Sequence, residues 1–358
     1  MRLPSGPGAA FAIGSAALFG ASTPLAKWLL GDGAQPLLLA GIFYLGSGIG
    51  LTLIEAIRIG VRHESTEAPL RRADVPRLAG AVLLGGAVAP ALLLLGLQNT
   101  SAAAAALLLN LEGVATMGIA WLVFRENVDR RLLLGALTII AGAVALSWKG
   151  GGAAGTGGLL IIGACVAWGM DNNLTRGLAG ADPIQITLIK GLTAGSVNLA
   201  LGLSTGAAML PWKESLAAAA VGFFGYGVSL VLFVRALRLL GAARTSAYFS
   251  TAPFIGAMMA VLFFSEPISI ALLAAAALMG AGVYLHLRES HEHDHTHDEM
   301  EHEHQHEHDA HHRHRHAAQH PPGEPHTHWH RHAPMIHSHP HHPDLHHRHE
   351  HRKSGAPR

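Results

Sequence analysis

GGAVAPALLLLGLQNTSAAAAALLLNLEGVATMGIAWLVFRENVDRRLLLGALTIIAGAVA, residues 85 to 145, is written again without a gap at residues 225 to 285, GYGVSLVLFVRALRLLGAARTSAYFSTAPFIGAMMAVLFFSEPISIALLAAAALMGAGVYL. An offset of 140 pairs Leu97 with Leu237, Ala102 and Ala103 with Ala242 and Ala243, Phe124 with Phe264, Glu126 with Glu266, and Ala141-Gly142 with Ala281-Gly282. Upstream, IGSAALFGASTPLAKWLL (13 to 30) matches IGACVAWGMDNNLTRGLA (162 to 179) at a nearby offset. The chain therefore reads as one unit written twice. If each unit crosses a bilayer an odd number of times, the second enters upside down, as in alternating-access carriers.

Composition separates two polymers. Up to about residue 288 the chain is rich in Ala, Leu and Gly, with apolar runs of ~20 residues, the length that spans ~30 Å of hydrocarbon. From Glu289 to Arg358 no such run occurs, and 25 of the 27 histidines lie there. The formal charge of +1 hides a first part at +6 (18 basic, 12 acidic residues) and a tail at −5 (7 basic, 12 acidic). One cysteine, Cys165, excludes an intrachain disulfide and a Cys-based metal site, and reads as a small core residue.

Short polar or Gly/Pro breaks divide residues 1 to 288 into ten spans, near 9 to 30, 36 to 57, 77 to 97, 101 to 124, 131 to 148, 157 to 178, 183 to 204, 215 to 236, 244 to 264 and 267 to 287. The expected fold is an all-α integral membrane protein of ten transmembrane helices in two inverted five-helix repeats, plus a disordered C-terminal tail. The repeats occupy residues 1 to 149 and 157 to 288, joined by a Gly-rich connector at 150 to 156, and the tail covers 289 to 358. The first apolar stretch resembles a secretory signal, but its match to residues 162 to 179 favours a retained span. The glycines at 150 to 158 lack a following Lys-Ser/Thr, which argues against a phosphate-binding loop.

Arginines crowd the loops after spans two, four and eight (Arg58, Arg62, Arg71, Arg72, Arg77; Arg125, Arg130, Arg131; Arg235, Arg238, Arg244), whereas the opposite loops offer little beyond Lys149 and Lys213. The positive-inside rule then puts both termini in the cytoplasm, in a bacterial-type inner membrane. Small residues spaced by four, at Gly46 to Gly50, Gly256 to Ala260 and Ala277 to Ala281, suit close helix contact in lipid.

Four ionisable residues fall inside predicted spans: Glu55, Glu112, Asp171 and Lys190. Each needs a partner, a wet cavity or a route to the surface, since a charge at mid-bilayer costs at least ~2.5 kcal/mol. Glu55 lies near enough to the cytoplasmic end to reach it. Glu112 stands halfway along span four, after Asn110. Asp171, five residues before Arg176, and Lys190, seven after Pro183, fall at equal depth on consecutive spans, some ~8 to 11 Å below the cytoplasmic face. They suit an ion pair, either as a packing device or as the lining of a polar cavity whose partners change during transport. Asn172 and Asn173 add two amides. Asp171-Asn172-Asn173 aligns with Ser22-Thr23-Pro24, which predicts that both opening helices are interrupted at one position. The expected substrate pathway is Glu112, Asp171, Asn172, Asn173 and Lys190.

The duplicated five-span unit, the endings FREN (124 to 127) and FSEP (264 to 267), and AWGMDNNLTR (167 to 176) resemble the EamA-type permeases of the drug/metabolite transporter superfamily, over nearly all of residues 9 to 287. The resemblance implies a secondary transporter of a small metabolite, not an enzyme, without ATP. One departure is Pro253, where the first copy has Gly113.

The tail alternates histidine with acidic or polar residues, HEHDHTHDEMEHEHQHEHDAHHRHRH at 291 to 316, with a second cluster at 326 to 351. Its low apolar content predicts that it does not fold alone. Imidazole suits zinc, nickel, cobalt or copper, and His-x-His sets two rings on one side of an extended chain. The expected ligands are His291, His293, His295, His297, His302, His304, His306 and His308. No resident cofactor is expected. The expected partners are a small-molecule solute, the lipid bilayer and divalent metal ions, with no nucleic acid. The leading expectation is efflux of an organic solute with a metal-binding tail, and the alternative is a Zn/Ni/Co carrier whose tail delivers the cargo. A membrane-embedded enzyme would need clustered acids, histidines or a nucleophile at one interface, which the sequence lacks.

Overall fold

A computed structural model describes residues 7–31, 33–62, 70–124, 130–147, 155–178, 181–287, 291–297, 300–306, 326–332 and 335–341. Every described element of the apolar part is a helix, as lipid demands of a backbone that has no water to bond. Helix α1 (Pro7–Gly31) and α2 (Pro36–Arg62) open the chain. A turn at Arg72–Asp74 leads into α3 (Val75–Ala81), a π-helical segment (Val82–Val88) and α4 (Ala89–Gln98), in one rod. Then come α5 (Ala102–Leu108), α6 (Leu111–Phe124), α7 (Arg130–Ser147), α8 (Thr156–Arg176) and α9 (Pro183–Ser204). Helix α10 (Trp212–Gly222), a second π-helical segment (Phe223–Val228), α11 (Ser229–Phe249), α12 (Ala252–Phe264) and α13 (Ile270–Leu287) complete the helices.

Among the described residues six helices are long and apolar enough to cross a membrane: Pro7–Gly31, Pro36–Gly60, Arg72–Gln98, Ala102–Val123, Pro183–Ser204 and Trp212–Ala236, with Ala252–Phe264 and Ile270–Leu285 as shorter apolar helices. Helix α8 falls outside this set; Asp171, Asn172 and Asn173 dilute its apolar character.

The packing repeats as the sequence does. Helix α1 lies on α11 and α12, while its counterpart α8 lies on α4 and α6; α2 pairs with α9, and α7 with α13. The α2–α9 contact is backbone against backbone. A methyl added at Gly191 would sit 2.6 Å from the Gly48 amide nitrogen, and one at Gly202 would sit 2.7 Å from that of Leu38. Dispersion between close main chains holds such pairs where apolar burial contributes little. Leu122, Val123, Phe263 and Ile270 are exposed, as suits a lipid-facing surface.

The two π-helical segments sit at equivalent places, since Val82–Val88 shifted by 140 covers 222 to 228. Helix α11 departs from a straight rod. It covers Ser229–Phe249, yet the rings of Phe233 and Phe249 are 4.9 Å apart. Sixteen residues of straight helix would separate them by ~24 Å. α11 is therefore not one straight helix.

Two expectations are corrected. Alignment of Ser22-Thr23-Pro24 with Asp171-Asn172-Asn173 predicts broken opening helices, but α1 and α8 run through both triplets. Side chains add local hydrogen bonds there: Ser22 Oγ donates to Phe19 O at 2.6 Å, and Asn173 Nδ2 to Gly169 O at 2.8 Å. The interruption falls instead at Leu109–Asn110, between α5 and α6, and at Ser250–Thr251, between α11 and α12. In the tail, four strands stand where a disordered arm is expected: β1 (His291–His297) pairs antiparallel with β4 (Met335–His341), and β2 (Met300–His306) with β3 (His326–His332). Strict alternation along these segments has the period of an extended chain, which low apolar content alone does not reveal.

Candidate functional site

The first π-helical segment centres the polar residues. Gly85 in it has no side chain because Asp171 of α8 occupies the space where a Cβ would be. Its carbonyl accepts two side-chain hydrogen bonds, from Tyr44 Oη of α2 at 2.7 Å and from Trp168 Nε1 of α8 at 3.1 Å. The next carbonyl, Gly86 O, accepts from Asn198 Nδ2 of α9 at 3.2 Å. Three helices thus converge on one widened turn.

Asp171 and Lys190 form a buried ion pair between α8 and α9, and Thr175 Oγ1 donates to the other Asp171 oxygen at 3.0 Å. Both residues are about 5% exposed, 4% for Asp171 and 5% for Lys190. Taking two charges out of water costs several kcal/mol each unless they are paired and hydrogen-bonded, which this pair is.

Glu112 stands in the first turn of α6, just past the break, where the helix dipole favours a negative group. Its Oε1 accepts from Asn172 Nδ2 at 2.9 Å, and the same amide lies 3.2 Å from Thr116 Oγ1. Asn173 Nδ2 donates to Thr116 O at 3.1 Å. Amides from α8 therefore stitch it to α6. Asn110, at the break, is buried, with its Nδ2 donating to Leu107 O and its Oδ1 unsatisfied among the described residues.

An aromatic wall joins this seam. Tyr226, from the second π-helical segment, stacks on Phe43 (centroids 5.7 Å) and meets Tyr44 (5.4 Å) and Phe19 (5.9 Å), while Phe19 meets Trp168 edge-on at 5.9 Å. Gly225 beside it lies against Ser22, a Cβ there falling 2.7 Å from Ser22 Cβ. Gly85 against Asp171 and Gly225 against Ser22 are repeat-equivalent contacts. One copy carries a charge and the other a hydroxyl.

All five residues of the expected pathway lie at the α6–α8–α9 junction. Asp171 and Lys190 meet directly, Glu112 and Asn172 meet directly, and Asn173 ties α8 to α6. Sequence reading missed Tyr44, Trp168, Tyr226 and the π-helical glycines; the doublet Gly85-Gly86 and the spaced Gly225-Gly227 were the available signal. It also missed a second carboxylate. Glu266 caps α5, accepting from the amides of Ala102 (2.6 Å) and Ala103 (2.9 Å), and Lys27 beside it donates to Leu97 O. Glu55, expected to reach the surface, pairs with Arg58 at 3.0 Å, and Arg58 also pairs with the buried Asp182. Among the described residues no group of three His, Cys, Asp or Glu side chains is set to hold a metal ion. His291, His293, His295, His297, His302, His304 and His306 lie on β1 and β2, and His308 lies outside the described residues.

The EamA-like transporter family matches the chain twice, over residues 6–148 and 155–288. A protein of Methanothermobacter thermautotrophicus named "Uncharacterized transporter" is 32% identical over 285 residues, covering 75% of this chain and 82% of its own. A solved crystal structure shares the fold at a TM-score of 0.57 and 20% identity, over 77% of this chain and 94% of its own.

Proposed function

This chain belongs to the EamA-like transporter family, and on that premise we propose that it is a secondary carrier exporting a small organic solute through the seam of Asp171, Lys190, Glu112, Asn172 and Asn173. It is a multi-pass membrane transporter and not an enzyme. The carrying observation is the buried Asp171–Lys190 pair seated against the π-helical turn at Gly85, with Glu112 and Asn172 one helix face away. π-Helical turns are rare within α-helices and occur frequently at functional sites. The pair offers both an anion and a cation to a passing solute, and the aromatic wall offers apolar faces.

Access alternates between two inverted halves, residues 1 to 149 and 157 to 288, joined by the connector at 150 to 156. Support comes from the repeated sequence, the twofold family match and the exchanged packing of α1 and α8. Ten crossings return the chain to its starting side, with both termini cytoplasmic in the plasma membrane. The tail, 289 to 358, binds divalent metal on the cytoplasmic face. Metal as cargo is disfavoured, because the helical seam offers no imidazole and Lys190 stands in it.

Flux assays in proteoliposomes test the seam. Asp171→Asn and Lys190→Ala each reduce solute flux to the protein-free background while leaving membrane insertion intact. Normal flux in both variants refutes the seam as the pathway. A double variant that recovers full flux assigns the pair to packing alone.

A further inference from the structure

The two strand pairings of the tail have the same register. Nine steps along each strand carry the pair His291 with His341 into the pair Met300 with His332. Within it, histidine opposes histidine at 291 and 341, 293 and 339, 295 and 337. The second ribbon repeats this at 302 and 330, 304 and 328, 306 and 326. Acidic residues alternate onto the other face, Glu292 opposite Pro340 and Asp294 opposite Ser338 in the first ribbon, Glu301 opposite Arg331 and Glu303 opposite Trp329 in the second.

Directly opposed positions on an antiparallel pair share a face and stand ~5 Å apart, and next-but-one positions on a strand stand ~7 Å apart. Two neighbouring His–His pairs therefore make a block of four imidazole positions on one face, two from each strand. Zinc takes four nitrogen ligands in a tetrahedron, which neither strand supplies alone from one His-x-His.

We propose that the proximal (291 to 306) and distal (326 to 341) histidine clusters hold divalent metal jointly, in cross-strand four-imidazole sites. The clearest blocks are His291, His293, His339 and His341 in one ribbon, and His304, His306, His326 and His328 in the other. At the opposite end of each ribbon a methionine takes one of the four positions, Met335 opposite His297 and Met300 opposite His332. This rests on the reading that the tail binds metal, and it adds that the distal cluster is half of each site. A two-stranded ribbon is marginal in water, so metal that bridges the strands also stabilises their pairing.

Zinc titration calorimetry on the full-length protein in nanodiscs, purified without an added His tag, tests this. Replacing His326, His328, His330, His337, His339 and His341 by Asn weakens the tight zinc phase by about tenfold or more, at least the loss seen when a metal site is disturbed one shell out. Replacing six histidines outside the sequence ranges of β1 to β4, His311, His312, His314, His316, His346 and His347, leaves that phase in place. Equal losses in both variants overturn the register, as does a halved number of ions at unchanged affinity in the first, which means each cluster binds alone. Nitroxides on Thr296→Cys and Ile336→Cys, opposed in the register, move to a short separation on adding zinc and part again with chelator; no change also overturns it. Absence of any tight phase in the wild type refutes instead the metal-binding reading of the tail.

Discussion

Gly85 carries two tasks at one atom set: its carbonyl serves Tyr44 and Trp168, and its missing side chain leaves room for Asp171. Gly85→Val forces Asp171 and Lys190 apart, and overpacking of this sort costs about 1–3 kcal/mol. The expected result is a lowered unfolding midpoint in detergent and lost flux, whereas Gly60→Ala, where a Cβ meets nothing within 4 Å, changes neither. Glu266 makes a second residue-scale case. Its carboxylate satisfies two amides at the start of α5, so Glu266→Ala costs about 0.5–2 kcal/mol, the range for a lost helix cap, readable in the same melts. The charges in the seam were legible in the sequence because ionisable residues in apolar runs are conspicuous. Tyr44, Trp168 and Tyr226 were not, since an aromatic residue in a membrane helix looks the same whether it faces lipid or a neighbour's carbonyl.

Helices α2 and α9 make contact through glycines, and this sets the tolerance of the whole pair. Gly191→Val introduces a branched side chain where the Gly48 nitrogen lies 2.6 Å from a Cβ. The two helices then separate, and the protein loses thermal stability even though no polar group has changed; an unshifted midpoint contradicts the contact. Breaks within elements were harder to read. Polar triplets pointed to α1 and α8, but both helices run through them. The break at Leu109–Asn110 lies in a run of leucines, and it became visible only where Asn110 is buried and Leu111 starts a new helix. Six of the ten expected spans stand out by length and apolarity; Asp171, Asn172 and Asn173 dilute the apolar character of α8, and Arg235, Arg238 and Arg244 that of α11.

For the molecule as a whole, membrane orientation and the tail carry the testable consequences. Reporter fusions after residue 31 and at the C-terminus should fall on opposite sides of the membrane, and fusions at the two termini on the same side. Truncation after Arg288 should leave solute flux in proteoliposomes unchanged and abolish tight zinc binding, because seam and tail share no described residue. Loss of flux on truncation would mean that the tail takes part in the cycle.

Membership of a duplicated membrane-transporter family followed from the chain alone, since the lipid solvent imposes long apolar helices and a repeat leaves its offset in the order of residues. Which residues meet did not follow. The widened turns at Gly85 and Tyr226, the aromatic wall and the opposed histidines of the tail depend on side chains and strands far apart in sequence. Only packing, which brings Gly85 to Asp171 and His291 to His341, decided those contacts.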